Sequence, residues 1–579
     1  MAITATKPEI ESRPAVWLDA VVLMAVVALV LGAAKVAAQW RQPLHLSVDI
    51  DLSLRALPKY AFFSFVRGWI AYFFSLIFTL LVASWAYYDL RARRYILVAL
   101  DILQSLPVLA FLFVFQAALV GLFPHSNTGL ELACIFAIFT GQVWNMTFSY
   151  FDSLRGTPGD FRMLGKLYNF NWWNRFWRIE LPFGAQGLLY NSMVSMAGGW
   201  FFLTVAEASN IGDKSYRVPG IGSYISVAFD RGDTRACVYA VAAMSVIIVV
   251  VDRLIWWPLV VWSRKFKLDD FAGVGIRISR WQLWLVRSLT VQKMAAIFES
   301  LSRWLVPPPD PPSEKTSLVP PGTPPAKRGR FSRVIYFVFL AAFAVFLLWG
   351  AQRLTSLLAL VQASEWLIIL RDAGLSFARV LAAVTIGTLW TVPFGIWIGL
   401  NPRISNRLQP FIQFAASFPA PMIYPALTFL VFAVGANLQW GAILLILFGT
   451  QWYILFNVIA GAIAIPSDLK EAADVFHFGT VQRWRTVILP GIYPYLITGL
   501  VTASGGAWNA SIVAEYFHLK GKVLSTFGLG AQISSATDSG NFALLLLSTI
   551  VMATFVVTVN RLLWRPLYRL GETRYRLET

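Results

Sequence analysis

The segment SDLKEAADVFHFGTVQRWRTVILP runs from Ser467 to Pro490 between two long apolar stretches. Leu469, Ala472, Ala473 and Phe476 recur at helical spacing, which predicts a short helix with one apolar stripe. Asp468, just after Pro466, is a good N-cap for that helix. Pro490 is expected to open the next long helix, where its missing N–H costs little. A helix this short in a loop cannot bury its stripe alone, so it can dock in a groove on a partner. The alternative is a surface helix packed on its own chain.

The same segment has a counterpart earlier in the chain. A shift of 308 places residues 141–259 on 449–567 without a gap, so that Gly141, Trp144, Pro158 and Asp160 meet Gly449, Trp452, Pro466 and Asp468. The match continues through Leu181-Pro182, Trp200, Glu207, Gly220, Gly222, Arg253, Trp256 and Pro258. A shift of 312 aligns the preceding helices, with Arg67 on Arg379 and Ser105-Leu106-Pro107 on Ser417-Phe418-Pro419. A repeat this long indicates a duplicated unit.

Each unit carries six apolar runs long enough to cross a bilayer core, which takes roughly 20 residues per helix. They lie near 16–38, 61–88, 95–121, 130–150, 183–206 and 237–262, then near 334–361, 377–400, 411–433, 438–463, 490–513 and 541–564. The first run has no clean cleavage site after it and reads as a retained helix. Six is even, so the copies lie parallel, related by an axis along the membrane normal. The expected fold class is an all-α polytopic membrane protein of about 12 transmembrane helices, as two parallel six-helix repeats. Residues 1–270 form the first half, with the loop 160–182. Residues 271–330 form a connecting region, and 331–579 the second half, with the loop 468–490.

Composition agrees. The 579 residues are 57% hydrophobic and 13% charged, against about 45–50% and about 25% in soluble domains. A net charge of +18 can signal nucleic acid, but the basic residues alternate with apolar runs and mark cytoplasmic loops. Residues 262–333 alone hold 13 Lys and Arg against five acidic residues. Both termini are then cytoplasmic, and no nucleic-acid partner is expected. Nine prolines between 307 and 325 favour an extended tether. The stretch 280–305 reads as a helix in the headgroup region or one that binds a partner. Two cysteines make no disulfide framework. His45, His125, His477 and His518 show no metal spacing, and no nucleophile–base arrangement supports catalysis. Gly165-Lys166-Leu167 and Gly521-Lys522-Val523 lack the spacing and the hydroxyl of a phosphate-binding loop.

The span from Glu471 to Pro490 resembles the signature loop of permease subunits in ATP-binding-cassette importers of the type I fold. The family pattern is Glu-Ala-Ala, a glycine a few residues on, then an apolar residue and Leu-Pro. Here His477 holds the glycine slot and Gly479 comes two residues late, so the turn is expected to be shaped differently. The first-half loop keeps Asp160, Arg175 and Leu181-Pro182, but Met163-Leu164-Gly165 replace Glu-Ala-Ala and Asn169 sits in the glycine slot. It is either a degenerate docking loop or a purely structural one. The resemblance implies that Glu471, Ala472, Ala473, Phe476 and Gly479, with Asp160, Met163, Leu164 and Gly165, couple the chain to two ATP-binding subunits. ATP and Mg would be bound by those partners, with no cofactor or metal in this chain. It also implies a periplasmic or extracellular solute-binding protein, a place in the bacterial inner membrane, and transport without enzymatic activity of its own.

SFARVLAAVTIGTLWTVPFGIWIGL (376–400) and GGAWNASIVAEYF (505–517) are similar to one branch, the permeases for nitrate, taurine, alkanesulfonate and bicarbonate. A small anionic substrate follows from that similarity. Trp508 and Glu515 stand seven residues apart on one helix face, as do Trp200 and Glu207. These four are candidates for the translocation path or its gate; the other reading is a glutamate that reaches the headgroups or caps a neighbouring helix. Arg67 and Arg379, near outer helix ends, would attract anions or anchor the interface. Gly198-Gly199 and Gly505-Gly506 permit close helix packing. The rival function is a secondary transporter driven by an ion gradient, also often built as six plus six helices. A non-transporting scaffold or sensor is disfavoured by two equivalent loops.

Overall fold

The computed structural model describes residues 31–43, 48–212, 214–263, 348–350, 354–359 and 361–574, with isolated positions elsewhere. The expected spans at 16–38 and 334–361 fall mostly outside the described residues, as do the segment 280–305 and the proline-rich tether. Among the described residues, eight helices are long and apolar enough to cross a membrane. They are Leu57–Tyr88, Thr128–Gly156, Trp172–Ala206 and Thr234–Val260 in the first half, and Ala363–Gly399, Leu438–Ala464, Thr480–Ala514 and Phe542–Gly571 in the second. One compact unit comprises residues 1–41, 149–190 and 256–323; the other comprises 42–148, 191–255 and 324–579. The chain is an all-α polytopic membrane protein, with two small hairpins as its described strands.

Two expected spans are not straight. Residues 90–122 form a pair of helices bent by 93°, and residues 407–433 a pair bent by 84°. The break falls at Leu106-Pro107 and Phe418-Pro419, where Leu106 and Phe418 are extended, with ψ of 132° and 127°. A residue before proline is pushed out of the helical region by the pyrrolidine ring, and proline supplies no N–H to continue the ladder. The duplicated Pro107 and Pro419 therefore break the helix at the same place in both halves.

The starts of two further spans also differ from expectation. The helix carrying Pro490 begins at Thr480, and the one carrying Pro182 begins at Trp172. Each passes through its proline by means of a π-turn, Trp484–Ile488 and Phe176–Glu180 respectively. Asp252–Trp256 and Asn560–Trp564 precede Pro258 and Pro566 in the same way. A proline ring clashes with the carbonyl four residues back. In all four cases that carbonyl belongs to the π-turn, whose wider spiral gives the ring room.

Small residues set the helix separations. A methyl group on Gly395 would lie 2.8 Å from Val458, and one on Gly491 2.9 Å from Ile465. Gly199 packs directly on Gln142, as the sequence suggests. Gly505 differs: nothing lies within 4 Å of where its Cβ would be, because it faces a cavity.

Candidate functional site

The long helices Leu181–Ala206 and Leu489–Ala514 each end at a glutamate, Glu207 and Glu515, that is fully buried. In the second half, Ser376 Oγ donates to Glu515 Oε1 at 2.8 Å and accepts from Leu529 N at 2.8 Å. Gly530 N donates to Glu515 Oε2 at 2.9 Å, and Arg379 Nη1 pairs with Oε1 at 2.9 Å. The first half repeats this with Ser64, Ile221, Gly222, Arg67 and Glu207. Gly220 and Gly528 have extended backbones, and their role is steric: a Cβ at either would fall on the glutamate carboxylate.

These contacts correct the expectation for the two arginines. Arg67 and Arg379 are 2% and 7% exposed, and their charge is directed at protein carboxylates, so neither anchors at an interface. The halves differ in one partner. Arg67 also forms a two-point pair with Glu131, at 2.7 and 2.9 Å. Its counterpart in the repeat is Gln439, whose backbone carbonyl accepts from Arg379 Nε at 3.3 Å. Trp200 and Trp508 are buried beside these clusters, Trp200 over Gly68 and Trp508 against Phe377 and Phe555. None of Trp200, Glu207, Trp508 and Glu515 lines the cavities found between the halves.

Each glutamate introduces a two-stranded hairpin, Ala208–Ile211 with Lys214–Arg217 and Tyr516–Leu519 with Lys522–Ser525. Each hairpin leads to a short helix, Ile221–Arg231 and Leu529–Asp538. The hairpin tips cross between halves. Gly212 N donates to Thr537 O and Lys520 N donates to Phe229 O, both at 2.8 Å. Gly212 and Lys520 are equivalent in the repeat and share the left-handed conformation, with φ of +58° and +52°.

At the other end of the same long helices lie the loops. The predicted short helices are present as Ser467–Val475 and Gly159–Leu167. Pro466 occupies the N-cap position, so Asp468 is not the cap; it sits in the first turn, where its charge complements the helix dipole. The turns after them are the same in both halves. His477 and Asn169 adopt left-handed φ of +50° and +48°. Phe478 N donates to Ala473 O, and Phe170 N to Gly165 O, both at 2.9 Å. Such a left-handed closure is the usual end of a helix and favours glycine. The turn therefore closes on a left-handed residue in both halves, although neither is a glycine. Of the predicted stripe, Ala473 is buried while Leu469 and Phe476 are exposed and Ala472 is half-buried. Glu471 and Gly479 are exposed. In the first loop Gly165 is buried, and Asp160, Met163 and Leu164 are exposed.

A cavity of about 120 Å³ lies between the halves, lined by Thr140, Trp144 and Asn145 from one and Tyr453, Gly505 and Asn509 from the other. Trp144 Nε1 is buried there without a partner. Asn509 also reaches across the halves, accepting from Leu109 N at 3.2 Å. Leu109 lies in the first turn after the Pro107 break, where backbone N–H groups have no partner in their own helix. Sequence reasoning missed Asn509, Glu131 and the two serines. The shift of 312 that pairs Arg67 with Arg379 also pairs Ser64 with Ser376, a signal that was available.

The family described as binding-protein-dependent transport system inner membrane component matches residues 75–257 and again 391–565. The chain is 32% identical over 140 residues to the bicarbonate transport system permease protein CmpB of Synechococcus elongatus, covering 24% of this chain and 49% of that one. It is 29% identical over 163 residues to the taurine transport system permease protein TauC of Escherichia coli, covering 28% and 56%. It is 28% identical over 187 residues to the nitrate import permease protein NrtB of Leptolyngbya laminosa, covering 32% and 63%. The chain thus spans between 49% and 63% of the length of these relatives. The family matches more than half of the chain, once in each repeat, and the break, short helix, π-turn and hairpin recur in the same order. The protein therefore belongs to the binding-protein-dependent transport system inner membrane component family, as two copies fused in one chain.

Proposed function

We propose that this multi-pass inner-membrane protein is the permease component of an ATP-driven importer for a small anion. The observation that carries the reading is the pair of loops with the same helix, left-handed turn and π-turn, one in each family match. Each offers exposed apolar side chains, Val475, Phe476 and Val481 in one and Met163, Leu164 and Leu167 in the other. Two ATP-binding subunits gripping these loops from the cytoplasm would bind ATP and Mg themselves. Their closure would rock the halves between inward-open and outward-open states. A solute-binding protein would deliver substrate to the face carrying the hairpins, since a 26-residue helix such as Leu489–Ala514 separates hairpin from loop by about 39 Å. The distribution of Lys and Arg supports a cytoplasmic position for both termini. Bicarbonate, taurine and nitrate, named for the relatives, are the substrates to try first.

Phe476→Asp with Val475→Asp tests the loop. The double variant is expected to fold but to lose co-purification with its ATP-binding subunits and ATP-driven uptake in proteoliposomes. Full retention of both would overturn the reading. Uptake driven by a proton or sodium gradient without ATP would establish the secondary-transporter alternative.

A further inference from the structure

A second cavity, of about 170 Å³, is walled by both hairpins and both short helices. The crossed hairpin-tip bonds, Gly212 to Thr537 and Lys520 to Phe229, join its walls. An apolar cavity of about 150 Å³ admits a benzene-sized molecule, so this one holds more than a bare triatomic or tetra-atomic ion. Much of its surface is apolar, from Phe113, Val205, Phe229, Ile512, Val513 and Phe517.

The polar groups in its wall are mostly committed. Thr204, Ser209, Ser534 and Thr537 donate to protein acceptors. Asp538 accepts from Tyr516 Oη at 2.7 Å and is bonded to His518 Nε2 at 2.8 Å. Tyr424 is different. Its side chain is 2% exposed, it lines the cavity, and its Oη is buried with no hydrogen-bond partner. A buried hydroxyl without a partner costs about 1–3 kcal/mol, which a ligand acceptor would recover. The tyrosine is particular to the second half: the shift of 312 puts Leu112 at the corresponding place in the first.

We propose that this chamber is a transit site for a small organic oxyanion, a short sulfonate or carboxylate, whose oxygen accepts from Tyr424 Oη while its carbon body lies on the apolar wall. The proposal rests on the importer reading and deepens it by naming where cargo pauses and which part of it is felt. A phenol is a neutral donor, and the carboxylate in the wall, Asp538, is already bonded by Tyr516 and His518. Neutral donation also suits passage, because a transport site must hold its cargo weakly enough to release it.

The test is binding by the purified full-length chain in detergent, with ethanesulfonate as probe and nitrate as the comparator without a carbon body. Wild type is expected to bind ethanesulfonate more tightly than nitrate. Tyr424→Phe, which keeps the ring, is expected to weaken ethanesulfonate binding about tenfold, with thermal stability maintained. Tyr453→Phe, which alters the other cavity, should leave it unchanged. No binding by wild type, equal binding by Tyr424→Phe, or a loss confined to Tyr453→Phe would each overturn the proposal. ATP-driven uptake by the complete assembly is measured separately. Its failure with chamber binding intact counts against the importer reading, and its presence with chamber binding absent counts against the chamber.

Discussion

The amide of Gly212 donates to the carbonyl oxygen of Thr537 at 2.8 Å, linking the hairpin of the first half to the short helix of the second. Lys520 returns the bond to Phe229 at the same distance. Both donors and both acceptors are related by the shift of 308. The hairpin face is thus tied by a reciprocal pair of backbone bonds, and opening it requires both to break.

A disulfide across this contact should stop the cycle. A Cβ built on Gly212 lies 3.6 Å from Gly540 Cα, and one built on Gly540 lies 3.4 Å from Gly212 Cα, so side chains at the two positions would be in direct contact. Gly212→Cys with Gly540→Cys is expected to cross-link under mild oxidant, which a trypsin cut in the tether would reveal on a gel. ATP-driven uptake should fall below a tenth and return with reductant. Undiminished uptake by the cross-linked protein would show that the hairpins never part.

The buried ion pairs predict an order of damage. Removing one partner of a buried pair costs about 3–5 kcal/mol, because a charge is left without compensation. Arg379→Met strands Glu515, whereas Arg67→Met strands both Glu131 and Glu207. The first-half variant should therefore be the less stable of the two, judged by tryptophan-fluorescence melting. Adding Glu515→Gln to Arg379→Met should recover much of the loss. An Arg379 variant as damaged as the Arg67 one would contradict the asymmetry.

Backbone strain in the loop turns gives a third expectation. Left-handed φ costs a side-chain-bearing residue about 1–2 kcal/mol, and asparagine tolerates it best. His477→Val should destabilise by about 1–2 kcal/mol, since β-branching adds to the penalty. His477→Gly should be neutral or stabilising by up to about 1 kcal/mol after glycine's entropic cost. Asn169→Gly should change little. Melting temperatures of the three variants decide the matter, and a stable His477→Val would refute the strain.

The hairpin of the second half should weaken as pH rises. The hydrogen bond to Asp538 raises the His518 pKa above its usual value, with Asp230 adding to the effect while burial and Arg217 oppose it. A raised folded-state pKa contributes stability that is complete below the ordinary imidazole pKa of about 6.5 and is lost as pH climbs through the raised value. Hydrogen-exchange protection factors over residues 516–525 are expected to fall across that window. His518→Gln should flatten the profile, and an unchanged profile in that variant would reject the assignment.

Much of this architecture is written locally. Apolar runs, their duplication at 308 and 312, the short helices after Pro466 and Pro158, and the paired glutamates are patterns within one helix or one loop, which neighbouring residues specify. The prolines were legible too, but their consequence was not: Pro107 and Pro419 break their spans, whereas Pro182 and Pro490 are absorbed by π-turns. At one of these bends the fold also brings in a distant partner. Asn509, 400 residues away in sequence, caps the amide freed beside Pro107, and no local pattern contains such a partner.

The candidate site divides in the same way. Sequence alone determined that a short helix with an apolar stripe lies between Pro466 and Pro490, and that Glu207 and Glu515 end equivalent helices. Tertiary structure decided that both glutamates are sealed by Ser64 with Arg67 and by Ser376 with Arg379, away from the cavities between the halves. It also decided that Tyr424 carries an unpaired hydroxyl. Burial and hydrogen-bond satisfaction depend on groups brought together from more than a hundred residues apart. A single chain's periodicity records which face of a helix is apolar, but not which distant donor or acceptor will meet it.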